Sequence, residues 1–167
     1  MKFGKKAEAA EGEQIKSSFL FTIPNKSRDK QGRTLFRDPL GLDIFRKIAR
    51  QLRTEGFQAT EAAPGKACVA AFEIRFPKFD VFAMLLTSRR ADTVQCRVST
   101  WCTTALWRRV SPELVSEGWI RACEAIEKIL RQDSNVTALT WMTEKDAKSH
   151  LRRTREDSIA RLHNEQS

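Results

Sequence analysis

The sequence predicts an α+β two-layer sandwich: an antiparallel β-meander sheet packed by two long helices, with a charged helix at the C-terminus. Three observations predict it. The apolar period is helical in two long segments and switches to two between Phe57 and Thr103. Capping and turn residues stand where the period changes. The helices are segregated from an antiparallel run of strands, which makes an α+β sandwich of two layers.

Taken in order, residues 1–17 are polar and mixed in charge and read as a flexible arm. The single domain runs from 18 to 145, and 146–167 form a charged C-terminal helix or tail. Ser18 to Pro24 is the first strand, and Asn25 to Gly32 is a basic turn-rich connection. The first helix has Asp38 as N-cap and Pro39 at its first position, where a missing N–H costs nothing. Ile44, Phe45, Ile48 and Leu52 form its apolar stripe, and Gly56 is the expected C′ residue. Phe57–Ala62 is a short strand, closed by a turn at Pro64-Gly65-Lys66.

Ala67–Phe76 alternates, with Ala70, Phe72, Ile74 and Phe76 on one face. Phe79–Ser88 is apolar on both faces, the pattern of a central strand covered on both sides. Thr93–Thr103 alternates again: Val94, Cys96, Val98 and Cys102 fall on one side, Gln95, Arg97, Ser99 and Trp101 on the other. Ser111 caps the second long helix at Pro112. Val115, Trp119, Ala122, Cys123, Ile126 and Leu130 supply its buried face. Asn135–Met142 is the last strand, and Thr143 to Asp146 resembles a capping box that opens the charged C-terminal helix.

Composition narrows the function. The chain has 167 residues, 41% hydrophobic and 31% charged, with a net charge of +9. No apolar run approaches the roughly 20 residues of a membrane span. Lys2, Lys5 and Lys6 are followed by Glu8, Glu11 and Glu13 where a secretion signal needs an apolar stretch. The expectation is a cytoplasmic protein with no membrane partner.

Catalysis is disfavoured. The two histidines, His150 and His163, lie near the C-terminus, and the folded middle lacks the commonest acid–base residue. Tyrosine is absent, and the acidic residues form no metal-site or glycosidase cluster. Cys68, Cys96, Cys102 and Cys123 form no CxxC and have no histidine at zinc-finger spacing. They read as buried reduced thiols. No glycine-rich phosphate loop occurs. The expectation is therefore a non-enzyme with no cofactor and no metal.

The basic excess has a location. Net charge is +5 over residues 20–60 and +4 over 61–110, against −2 over 111–145. Arg46, Arg50 and Arg53 share one helix face; Arg89-Arg90 and Arg108-Arg109 are doublets beside the sheet. Such a surface attracts an acidic protein or a polyanion. Solvated helix faces and turns also use arginine, and that plainer reading stands beside it.

Aromatic residues accompany the charge. Trp101 shares a strand face with Arg97, and Phe82, Met84 and Leu86 share one on the preceding strand. An exposed Trp–Arg–apolar patch would be a protein-binding hot spot or a base-stacking platform. A helix covering Trp101 would make it plain core.

Leu52 to Gly56-Phe57, the Phe79–Thr103 strands, and Asp133–Trp141 leading into a new helix form a layout. It resembles small bacterial immunity proteins of polymorphic-toxin, contact-dependent and type VI secretion systems. The resemblance implies a cytosolic, non-catalytic inhibitor that occludes a toxin or effector. Many nuclease inhibitors of that kind are acidic, so this basic chain would suit an acidic partner or an acidic cleft. Type III secretion chaperones have a comparable element order but are generally acidic dimers.

The expected partner-binding residues are thus Arg46, Arg50, Arg53, Arg89, Arg90, Arg97, Trp101, Arg108 and Arg109, facing a protein partner. The alternative expectation is a nucleic acid, with the same arginines on phosphates.

Overall fold

The computed structural model describes residues 15–25, 41–66, 68–89, 92–104, 110–143, 145–146, 148–150 and 152–153. The elements are β1 (Lys16–Pro24), α1 (Leu42–Thr54), β2 (Gln58–Ala59), β3 (Ala70–Arg75), β4 (Asp80–Arg89), β5 (Thr93–Thr103), α2 (Pro112–Gln132) and β6 (Thr137–Thr143). This is the expected α+β order.

The strands form one antiparallel sheet in the order β2-β3-β4-β5-β1-β6. Consecutive hairpins build its first four strands. The N-terminal strand then inserts between β5 and β6, a non-local pairing with no local sequence signal.

Alternation sorts the side chains onto two faces. Phe19, Phe21, Phe72, Ile74, Val81, Leu85, Val94, Cys96, Val98 and Cys102 are buried on one face, and α1 and α2 pack there. Phe45 of α1 meets Phe72 at 4.7 Å between ring centroids. The Trp119 indole N–H of α2 donates to Thr100 Oγ1 at 2.8 Å, and that hydroxyl donates onward to the Ser17 carbonyl at 2.7 Å. A buried indole needs such an acceptor. One hydroxyl therefore ties α2, β5 and β1 together inside the core.

The helix ends follow their capping chemistry. Gly56 has φ 96°, and the amides of Gly56 and Phe57 donate to the carbonyls of Arg53 and Leu52, a Schellman closure. Ser111 accepts from the Leu114 amide at 3.3 Å. Thr143 and Asp146 cap each other as expected: the Asp146 amide donates to Thr143 Oγ1, and the Thr143 amide to Asp146 Oδ2.

The start of α1 differs from expectation. Asp38 and Pro39 lie outside the described residues, and the N-cap is Gly41, at φ 86°. A β-carbon there would sit 3.2 Å from Thr87 Cγ2 and 3.4 Å from Leu85 Cδ2. The chain turns into the helix hard against the sheet, and only glycine combines that dihedral with that approach.

Lys47 of α1 pairs with the Asp133 carboxylate at 2.8 Å, and Asp133 also accepts from the Asn135 amide. This joins α1 to the C-cap of α2. Most of the 1–17 arm, the Asn25–Gly32 connection beyond Asn25, and the C-terminal segment after 153 lie outside the described residues. No helix among the described residues is long and apolar enough to cross a membrane.

Candidate partner-binding face

The face turned away from α1 and α2 carries Leu20 from β1, Phe82, Met84 and Leu86 from β4, and Gln95, Arg97, Ser99 and Trp101 from β5. Register sets them side by side: Phe82 opposes Trp101, Met84 opposes Ser99, and Leu86 opposes Arg97. On its other side Arg97 opposes Leu20, and Ser99 opposes Ser18. The Phe82 and Trp101 rings stack at 5.8 Å with their planes 14° apart. Phe82, Met84, Leu86 and Trp101 are all half-buried. The sequence grouped Trp101 with Arg97, and the structure places both on this face. Alternation puts them about 13 Å apart along one strand.

Arg97 is the unusual member. It retains only 8% of its exposure, and its Nε has no hydrogen-bond partner. Leucines oppose it on both neighbouring strands. The carboxylates on the described strands are Glu73, bound to Arg75 at 3.0 Å, and Asp80. Both stand toward the Trp101 end of the sheet, away from Arg97. Burial holds the Arg97 pKa below the ordinary arginine value, because desolvation disfavours the charged form. The strand pattern reads Arg97 as an outward polar residue. Its enclosure leaves no mark in the β5 alternation, which marks only the face a side chain takes.

The other expected residues do not join this face. Arg46, Arg50 and Arg53 are exposed on α1, across the sheet from Trp101. Arg53 is occupied locally, donating to the Ala59 and Thr60 carbonyls. Arg89 opposes Val94 at the end of β4, so alternation turns it toward the helix side. Arg90, Arg108 and Arg109 lie outside the described residues. A helix buries its apolar stripe against the sheet and turns its polar stripe away, so α1 and the far sheet face cannot form one surface.

The cysteines are free thiols. Burial pushes Cys96 up to about 12, with the Asp43 charge adding to it. Burial likewise pushes Cys123 up to about 12 against the Thr100 hydrogen bond, and raises Cys102 further. At neutral pH such thiols are protonated and inert. Among the described residues no group of histidine, cysteine and carboxylate side chains could hold a metal ion.

No family model matches the chain, and neither the curated proteins nor the solved structures contain a significant match.

Proposed function

We propose that the chain is a non-catalytic bacterial binding protein, an immunity-type inhibitor or chaperone of a toxin or effector, acting by occlusion in the cytoplasm. One observation carries this reading: a sheet face with a stacked Phe82–Trp101 pair, flanking leucines and methionine, and an enclosed arginine. Large aromatic side chains and arginine dominate protein–protein hot spots. The three buried reduced thiols fit a reducing compartment.

A second reading has its own observation. Arg46 and Arg50 are exposed on the outer side of α1, a geometry suited to phosphates. It requires affinity for nucleic acid that falls steeply with salt.

Affinity capture from the native bacterium, with and without nuclease, separates the two. Recovery of one stoichiometric protein that survives nuclease supports the inhibitor reading. Recovery of many nucleic-acid-associated proteins that vanish with nuclease refutes it in favour of the second.

A further inference from the structure

We propose that Arg97 is a carboxylate receptor built into the sheet face, and that the protein partner presents an acidic side chain to it. This rests on the reading of that face as a protein-binding surface.

A buried guanidinium is costly unless paired or hydrogen-bonded. Arg97 is 8% exposed, with Nε unsatisfied and the opposed Leu20 and Leu86 on either side. A residue tuned for stability alone would be methionine or leucine at this position. The guanidinium retains its planar fork of donors, which matches a carboxylate in a bidentate pair. Ser99 lies two residues along the same strand face and accepts from the Ser18 hydroxyl at 3.4 Å, which leaves its own hydroxyl proton to serve a further lone pair of the same carboxylate.

The second anchor fixes a spacing. Phe82 and Trp101 offer an apolar platform about 13 Å from Arg97 along β5. That distance equals about four residues of extended chain. The partner segment therefore carries Asp or Glu about four residues from an aromatic or large aliphatic residue. Neither anchor alone would fix register: the carboxylate supplies orientation and the platform supplies buried area.

The test uses a display library of random linear peptides selected on the full chain and on Arg97→Met. Methionine keeps the apolar volume and removes the charge. The wild-type chain should enrich peptides with an acidic residue about four positions from an aromatic one. The Arg97→Met chain should retain the aromatic preference and lose the acidic one. For a selected peptide carrying Glu, binding should weaken by at least about 30-fold on Arg97→Met, and similarly on replacing that Glu by Gln. Apolar peptides without an acidic residue enriched equally on both chains would overturn the Arg97 assignment while sparing the binding face. No enrichment on the wild-type chain, with its fold confirmed by circular dichroism, would overturn both.

Discussion

Phe82 and Trp101 stack across the β4–β5 pair at 5.8 Å, on the face of the sheet that α1 and α2 leave alone. A cross-strand aromatic pair contributes about 0.5–1.5 kcal/mol beyond the area it buries. A double-mutant cycle with Phe82→Ala and Trp101→Ala, read by urea denaturation, should return a coupling in that range. A coupling near zero would mean the rings do not hold each other.

The free chain tolerates Arg97 at a cost. Arg97→Met should stabilise the isolated protein by about 1–3 kcal/mol, since it exchanges an enclosed guanidinium with an unsatisfied Nε for an apolar side chain. Thermal and urea denaturation of both proteins check this. A destabilised Arg97→Met would show that the guanidinium already serves the fold.

Thr100 has the opposite character. Its hydroxyl serves the Trp119 N–H and the Ser17 carbonyl at once. Thr100→Val should cost about 1–3 kcal/mol for the buried partners left unpaired. Thr100→Ser should restore most of that loss, because serine keeps the oxygen.

Asp133 gives the stability a pH dependence. Burial by itself would raise its pKa, but the hydrogen bond from Lys47 and those from Asn135 hold it below the ordinary 3.8. A depressed folded pKa contributes stability in full above the unfolded value and loses it as pH falls through the folded one. Melting temperature should therefore drop more steeply below pH 4 in the wild type than in Asp133→Asn. Parallel pH profiles would show that the Lys47–Asp133 contact contributes nothing.

The thiols should divide by burial. Cys68 is half-buried, whereas Cys96, Cys102 and Cys123 are buried. Alkylation with iodoacetamide at neutral pH, followed by mass spectrometry, should label Cys68 first and the other three only on unfolding.

Local pattern made much of the fold legible. The β5 limits, Thr93–Thr103, follow from strict alternation, and the α2 start from Ser111-Pro112. The reciprocal Thr143–Asp146 cap follows from residue type and spacing. The insertion of β1 between β5 and β6 was not legible, because pairing between distant strands leaves no mark in either one. The start of α1 was misread, because the approach that makes Gly41 necessary comes from Leu85 and Thr87 on another strand. The site divided for similar reasons. Alternation alone placed Trp101 and Arg97 together. The enclosure of Arg97 leaves no mark in the β5 pattern, and the separation of Arg46, Arg50 and Arg53 from that face depended on which side of the sheet α1 covers.

The central claim is that this sheet face holds the protein partner. Its most direct test is nuclease-treated affinity capture with the wild type beside a Trp101→Ala/Arg97→Met double variant whose fold is confirmed by circular dichroism. The account predicts that the stoichiometric partner retained by the wild type is lost from the folded double variant. Equal recovery on both proteins would contradict it.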